Sequence, residues 1–210
     1  MAPSDSGAGR DRPPLIGLTG GIAAGKSEAL AALARLGAAT LSSDAVVHEL
    51  LGTPRVRERL VERWGGDVAP DEVVDRARVG TIVFERPAEL EWLESLLHPM
   101  VGERIRDWVV GLAPDTGLAV VEVPLLFESN MDSVFDATLC VTAQDDVRAE
   151  RARARGTDLL SERSVRQLSQ DEKAARATFV VANDAGVADL EQRLRELWPR
   201  LRAARREGLR

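Results

Sequence analysis

Residues 15–37, "LIGLTGGIAAGKSEALAALARLG", decide the fold of this chain. The stretch starts with a short apolar run, passes through a glycine-rich segment and continues into residues with high helix propensity. Within it, residues 20–27, "GGIAAGKS", satisfy the pattern G-x-x-x-x-G-K-[ST] without a mismatch. A strand, a loop of this pattern and a helix in this order predict a loop that binds the phosphates of a nucleoside triphosphate.

Each residue type in the loop suits that role. Glycines allow the backbone to curl with its N–H groups inward, and the positive end of the following helix attracts anions. Lys26 can reach the β- and γ-phosphates, and the Ser27 hydroxyl can ligate Mg²⁺. A turn without a ligand is the alternative, which the complete motif and its flanks disfavour. The predicted nucleotide-binding residues of the loop are Gly20, Gly21, Ile22, Ala23, Ala24, Gly25, Lys26, Ser27 and Glu28.

Composition narrows the class of protein. The chain has 210 residues, 44% of them hydrophobic, and a formal net charge of -6. This charge argues against a broad surface for nucleic acid or membrane, and no apolar run reaches the roughly 18 residues of a membrane span. Cys140 is the only cysteine, in the apolar run "ATLCVTA". It is predicted to be a packed core thiol, and a reducing, cytoplasmic compartment is expected.

Apolar runs alternate with longer amphipathic stretches, which predicts an α/β fold with a parallel sheet covered by helices. The run at 118–124 is apolar at nearly every position and is predicted to be the central strand. The first helix is expected to place Leu30, Leu33 and Ala34 on its buried face and to end at Gly37. The predicted strands are 14–18, 38–41, 118–124, 137–141 and 178–182.

The region between the second and third strands contains no convincing strand. It is predicted to be a helical, substrate-binding insertion at about 44–111. One of its helices is expected to begin near Pro87, with a kink or break near His98 because Pro99 follows. Residues 1–13 are predicted to be a disordered leader. The remaining unit, 14–205, comprises a core of 14–43, 112–145 and 177–205 and a lid at about 146–176.

Acidic and histidine side chains supply further candidates. Asp44 directly follows the second strand, where it could accept a proton from an attacking hydroxyl or cap a helix. His98, alone in an apolar helix, is favoured as a packed structural residue. Glu122 and Glu128 could help to hold hydrated Mg²⁺ or serve as structural hydrogen-bond acceptors.

Arginines cluster in "DDVRAERARARG". Arg148, Arg151 and Arg155 are three and four residues apart and share one helical face. Their guanidinium groups suit phosphate oxygens, and a mobile helical pair could close over the nucleotide as a lid. A solvated helix balanced by nearby carboxylates is the alternative.

The phosphate loop defines a ligand class without defining the reaction. A GTPase should carry Asn-Lys-x-Asp, and the chain's "NDAG" at 183–186 lacks the lysine. A short chain with a helical insertion and an arginine-rich segment is typical of a kinase for a nucleotide or related metabolite. A nucleotide-dependent switch that signals to a protein partner is the rival from another class.

Several ordered stretches together resemble the dephospho-CoA kinase family. They are "IGLTGGIAAGKS", "VGTIVFERPAELEWLESLLHPMV", "VPLLFE" and "RQLSQDEKAARATFVVANDAG", the last with Gln167, Lys173 and Asn183 in place. The resemblance implies a P-loop NTPase three-layer fold with a five-stranded parallel sheet, a helical substrate-binding insertion and a helical lid. It further implies ATP and Mg²⁺ as cofactors, dephospho-CoA as the small-molecule substrate, and a monomer, with a weak oligomer as the alternative.

The same resemblance implies roles for single residues. Lys26, Asp44 and Arg151 would be catalytic, with Asp44 preparing the ribose 3'-hydroxyl. His98 would join Asp44 and Arg151 in the substrate site. Arg148, Arg155 and Asn183 would contact ATP, the last near its adenine.

The sequence departs from the family pattern at three points. Ser42-Ser43-Asp44 stands where the family usually has Asp-Ala-Asp, so only the second carboxylate is present. Ala23 replaces the usual third glycine of the loop, which predicts a negative φ at that position. Arg148 replaces a frequent lid glutamine.

Overall fold

The computed structural model describes residues 12–154 and 167–205, which form five strands and eight α-helices. They divide into two compact units, one of Ser42–Gly111 and one of the residues before and after it. The strands are β1 (Leu15–Gly20), β2 (Ala39–Ser42), β3 (Ala119–Glu122), β4 (Ala137–Thr142) and β5 (Phe179–Ala182). The helices are α1 (Lys26–Arg35), α2 (Ser43–Leu51), α3 (Pro54–Trp64), α4 (Arg76–Glu85), α5 (Pro87–Val110), α6 (Asp145–Ala154), α7 (Gln170–Arg176) and α8 (Val187–Ala203).

The strands form one sheet in the order β2-β3-β1-β4-β5, and β1 pairs in parallel with β3 and β4. In this register Leu18 lies opposite both Glu122 and Leu139. All five predicted strands are confirmed, with ends that differ by at most two residues. The prediction that residues 118–124 form the central strand was wrong, because β1 has that place. Burial on both faces does not distinguish the middle strand from its neighbour.

Helices and loops cover both faces of the sheet. Ile16 and Leu18 of β1 belong to a buried cluster with side chains of α1 and α8. On the other face, a Cβ at Gly17 would meet Phe135 at 2.8 Å. Helix α7 packs against β1 and β4. These contacts confirm the predicted three-layer α/β fold.

Helix α1 ends at Arg35, and Gly37, two residues later, terminates it as predicted. Gly37 has a φ of 100°, its N–H donates to the Ala34 carbonyl at 3.0 Å, and the Ala38 N–H donates to the Leu33 carbonyl at 3.0 Å. This pair of bonds is the Schellman arrangement, which requires a left-handed residue at this position.

The predicted buried face of α1 was partly wrong. The buried residues are Ala29, Ala32 and Leu33, whereas Ala34 is exposed and Leu30 only partly buried. Alanine occurs on every side of this helix, so the apolar pattern does not define which side faces the sheet.

The unit Ser42–Gly111 is helical throughout its regular elements, and its bounds lie close to the predicted insertion at about 44–111. Helix α5 begins at Pro87 as predicted and continues through Pro99, so of the predicted kink or break near His98 the break was wrong. Every fourth residue from Leu93 to Val109 is buried and forms a stripe along the helix. The free energy gained by burying this stripe offsets the loss of the backbone hydrogen bond that proline cannot make. The stripe comprises Leu93, Leu97, Val101, Ile105 and Val109.

Residues 1–11 of the predicted leader lie outside the described residues, as do residues 155–166 of the predicted lid. Arg12, which the sequence assigned to the leader, donates to both carboxylate oxygens of Asp136 at 2.6 and 3.0 Å. Asp136 is buried and also accepts from the Leu15 N–H at 2.8 Å. Arg12 is therefore tied to the first residue of β1. Among the described helices, none has the length and apolar character needed to cross a bilayer.

Candidate active site

The phosphate loop connects the carboxyl end of β1 to the amino end of α1. Gly25 caps α1 in the left-handed region, with φ 99° and ψ 31°. A Cβ at this position would run into the Asn183 side-chain nitrogen, so both conformation and space require glycine here. The N–H groups in the first turn of a helix have no acceptors within that helix. In α1 they lie at the end of the loop, the arrangement that binds phosphate groups in proteins.

Lys26, the first residue of α1, bends back over the loop. Its Nζ donates to the Gly20 carbonyl at 3.2 Å and to the Gly21 carbonyl at 3.0 Å. Phosphate oxygens carry more charge than carbonyl oxygens and accept stronger hydrogen bonds from an ammonium group. A triphosphate in the loop can therefore take over these bonds with little movement of the lysine.

Two side chains from later elements hold the loop carbonyls from outside. Asn183, after β5, donates from Nδ2 to the Ala24 carbonyl at 2.9 Å. Arg148, on α6, donates from Nε to the Ile22 carbonyl at 3.0 Å. Left-handed residues in such a loop make successive N–H groups converge on an anion. Asn183 and Arg148 thus stabilise the loop in a form that presents its amides to phosphate.

Arg151 is directed towards the same loop. Its NH2 donates to the Asn183 Oδ1 at 3.4 Å, and its buried NH1 has no hydrogen-bond partner among the described residues. That NH1 lies 3.9 Å from the position of a Cβ on Gly25. A buried guanidinium nitrogen without a partner is costly. An anionic ligand in the loop would supply one.

The two described members of the predicted arginine cluster, Arg148 and Arg151, differ in their surroundings. Arg148 also pairs with Asp145 at 2.9 Å, as the solvated-helix alternative expected. Arg151 fits the phosphate-contact hypothesis better, because part of its guanidinium group remains unpaired. Arg155, the third member of the predicted cluster, lies outside the described residues.

Asp44 and His98 belong to the unit Ser42–Gly111. Asp44 is exposed and is the second residue of α2, whose N-cap is Ser42, so of its two alternatives the helix cap was wrong. His98 is exposed on α5, which contradicts the packed structural role. Both side chains are therefore accessible to a ligand.

A model of the dephospho-CoA kinase family matches residues 14–189. The chain belongs to this family. A dephospho-CoA kinase of Streptomyces avermitilis is 35% identical over 192 residues, which are 87% of this chain and 91% of that protein. One of Anaeromyxobacter dehalogenans is 37% identical over 198 residues, or 91% of this chain and 93% of the relative. Sequence similarity therefore extends over almost the whole chain.

Solved structures share the fold of this chain. A Thermus thermophilus protein of known crystal structure is 31% identical, with a TM-score of 0.76 over 90% of this chain and 98% of its own. Dephospho-CoA kinase from Campylobacter jejuni is 21% identical, with a TM-score of 0.67 over 90% and 97% of the two chains, and supports the fold. Membership of the dephospho-CoA kinase family makes this chain a kinase, for which ATP is the phosphate donor.

The oxygen ligands near the loop fit a magnesium ion. Ser27 is exposed on the first turn of α1, and Glu122 ends β3 beside Leu18 of β1. The described residues contain no group of three or more His, Cys, Asp or Glu that could hold a metal. Mg²⁺ in kinases keeps several waters and binds mainly through substrate phosphates. The Ser27 hydroxyl is therefore a sufficient protein ligand for such an ion.

Glu128 has a structural role in this kinase. One carboxylate oxygen accepts from Lys173 Nζ at 2.9 Å and from the Leu168 N–H at 2.9 Å. Of the two alternatives for this residue, the structure favours the hydrogen-bond acceptor.

Gln170 was not singled out from the sequence. Its side-chain amide donates to and accepts from the backbone of Ala143 at 3.0 and 2.9 Å. It also lies 3.1 Å from the position of a Cβ on Gly21. No local pattern signals this contact, because the partners are far apart in the chain.

Ala23 contradicts the expectation of a negative φ. Its φ is 58°, in the left-handed region. This conformation costs a residue with a Cβ about 1–2 kcal/mol, so the loop retains its shape at the expense of stability.

We expect Ala23→Gly to raise the free energy of unfolding by about 1 kcal/mol, since glycine adopts this φ without strain. The melting temperature should rise by about 2–4 °C. Ala31→Gly, at an exposed position of α1, is the matched control and should lower stability by about 1 kcal/mol. A lower melting temperature for both variants would show that Ala23 is unstrained.

Cys140 is fully buried in β4, as predicted. Burial raises the pKa of its thiol from 9.0 to about 11, although the charges of Lys173 and Lys26 act in the opposite direction. The folded state therefore favours the neutral thiol, and its stabilising contribution is lost as pH rises from about 9 towards 11.

At pH 9 the native protein should react with iodoacetamide about 10²-fold more slowly than the urea-unfolded protein, because the thiolate is the reactive form. Alkylation is measured by mass spectrometry at several pH values. Equal rates in the two states would show that the thiol is accessible and ionised in the fold.

Proposed function

We propose that this kinase transfers the γ-phosphoryl group of ATP to the ribose 3'-hydroxyl of dephospho-CoA, which yields coenzyme A and ADP. The family assignment supports this acceptor. The observation that supports ATP as the phosphate donor is the geometry of the phosphate loop. Gly25 lies at the amino end of α1, Lys26 folds over the loop, and the unpaired Arg151 nitrogen is directed at it.

The loop and Lys26 would hold the β- and γ-phosphates, and Ser27 would hold Mg²⁺, assisted through water by Glu122. When bound, Mg²⁺ neutralises charge on the phosphate oxygens. Arg151 would stabilise the charge that spreads over the γ-phosphoryl oxygens as it moves. Arg148 and Asn183 hold the loop carbonyls. We expect both, together with Arg155, to contact ATP, with Asn183 near its adenine.

Asp44 would orient the acceptor hydroxyl and take its proton. It follows the carboxyl end of β2 by two residues, and ligands of doubly wound sheets bind at that edge. The 3'-oxygen forms a bond to the γ-phosphorus while the bond from that phosphorus to the β,γ-bridging oxygen breaks. His98, exposed on α5, would contact the substrate.

An acceptor panel tests this proposal. Dephospho-CoA, adenosine, AMP and CMP are offered separately with ATP and Mg²⁺, and ADP release is coupled to NADH oxidation. We expect turnover with dephospho-CoA and a 3'-phosphorylated product by mass spectrometry. Preference for AMP, CMP or adenosine would make the protein a nucleotide or nucleoside kinase. Turnover of ATP that no acceptor changes would favour a switch protein.

The sequence also suggests a monomeric enzyme in a reducing, cytoplasmic compartment. The single cysteine, buried in β4, supports the second expectation. Light scattering of the purified protein would determine the number of chains per particle.

A further inference from the structure

Lys173 carries a charge that is buried in the fold. It lies on α7 with 0% of its surface exposed, on the sheet face that carries Thr19 and Cys140. Its Nζ donates to the Pro124 carbonyl at 2.6 Å and contacts Glu128 Oε1 at 2.9 Å. Burial of an ammonium group is unfavourable unless it is paired and hydrogen-bonded. Both conditions are met here.

The Pro124 carbonyl joins Lys173 to the phosphate loop. It also accepts from Thr19 Oγ1 at 3.3 Å, and Thr19 immediately precedes the first glycine of the loop. One residue earlier, the Leu18 carbonyl accepts from the Val123 N–H at 2.8 Å. The chain leaving β3 is thus bonded to the end of β1, and Lys173 supplies the shortest of these bonds.

Glu128 connects Lys173 to the segment that precedes α7. The oxygen that contacts Lys173 also accepts from the Leu168 N–H, and Gln170 holds the backbone of Ala143 after β4. Residues 168–173 are therefore attached to the ends of β3 and β4 by side-chain hydrogen bonds. Lys173 lies where these attachments meet.

We propose that Lys173 is a positioning residue for phosphoryl transfer. By binding the Pro124 carbonyl, Lys173 fixes the position of the phosphate loop after β1 relative to the end of β3, where Glu122 lies. The inference rests on the proposed function. Because Lys173 has no exposed surface, it acts through Pro124 and Thr19 and not on the nucleotide.

Two variants distinguish an effect of Lys173 on the geometry of the phosphate loop from its effect on the stability of the fold. Lys173→Met leaves the Glu128 carboxylate buried and unpaired, and should lower the melting temperature by roughly 10 °C. Lys173→Met/Glu128→Gln removes both charges and keeps an oxygen for the Leu168 N–H, so most of this loss should be regained. In both variants the Pro124 carbonyl loses its lysine donor.

We expect both variants to lose about 10-fold or more in kcat, with an ATP dissociation constant within about 3-fold of wild type, because small misplacements affect the chemical step most. Leu201→Ala, on the buried side of α8, is the control that lowers stability without changing this network. It should keep its kcat per folded molecule. Wild-type kcat in the double variant would overturn the proposal, as would an equal fall in Leu201→Ala.

Slow ATP hydrolysis without an acceptor depends on the same loop and is measured in parallel. If wild-type protein hydrolyses ATP but does not phosphorylate dephospho-CoA, the proposed acceptor is wrong. A 10-fold fall in hydrolysis in the double variant would then still support Lys173, and unchanged hydrolysis would overturn it.

Discussion

Replacing Lys26 by alanine should lower kcat by about 10²–10³-fold, equivalent to about 3–4 kcal/mol of transition-state stabilisation. The ammonium group lies over the loop, bonded to the Gly20 and Gly21 carbonyls. From there it can follow the negative charge that builds up between the β- and γ-phosphates. A fixed charge stabilises the transition state more strongly at such a site than in water, because the surrounding groups need not reorganise.

The matched control for this change is Arg35→Ala. Arg35 is on the same helix, and it pairs at the surface with Glu28 and Glu191. Its loss changes the net charge by the same amount, and kcat should change by less than about 2-fold, because surface ion pairs contribute little. Both variants are assayed with saturating ATP and dephospho-CoA. Turnover of Lys26→Ala at the wild-type rate would remove the proposed role of the lysine.

Replacing Asp44 by asparagine should lower kcat by about 10²-fold and leave ATP binding nearly unchanged. The substitution keeps the size and hydrogen-bonding ability of the side chain but removes its ability to accept a proton, which is worth 10²–10⁴-fold in rate. Because Asp44 is exposed and makes no helix cap, the fold should not be affected. Turnover and ATP affinity are measured by coupled assay and by calorimetry.

Glu49→Gln is the control for Asp44→Asn. Glu49 is exposed on the same helix, α2, and pairs with Arg104 at 3.2 Å. We expect wild-type kcat for this variant. If Asp44→Asn weakened ATP binding as much as it lowered turnover, coordination of the metal would be the better role for Asp44.

Two of the three departures from the family pattern, Ala23 in the loop and Arg148 on α6, depend on the structure around the loop. The sequence showed that Ala23 replaces a glycine, but it predicted the wrong sign of φ. The loop keeps the left-handed conformation, and the alanine accepts the strain. For Arg148, the contact to ATP stays a prediction, and the structure adds a hydrogen bond to the Ile22 carbonyl of the loop. Neither outcome follows from local residue preferences, because each depends on what surrounds the loop.

The predictions that failed share a physical cause. Alanines around α1 left its buried side undetermined, and the break expected at Pro99 ignored the burial along α5. For His98, residue type and neighbours favoured a packed structural role, but the side chain is exposed. In each case the deciding quantity was burial, which depends on how elements pack.

The sequence itself determined which segments along the chain form strands and helices, where the phosphate loop lies, and that the first helix terminates at Gly37. Each of these features depends on residues within about one turn or one strand of each other. Tertiary structure alone decided that Asn183 and Arg148 hold the loop carbonyls and that Lys173 meets Pro124 and Glu128. Lys173 is 49 residues from Pro124, and Asn183 is 159 residues from Ala24. Partners so far apart in the chain meet only when the parallel sheet brings the ends of its strands to one edge.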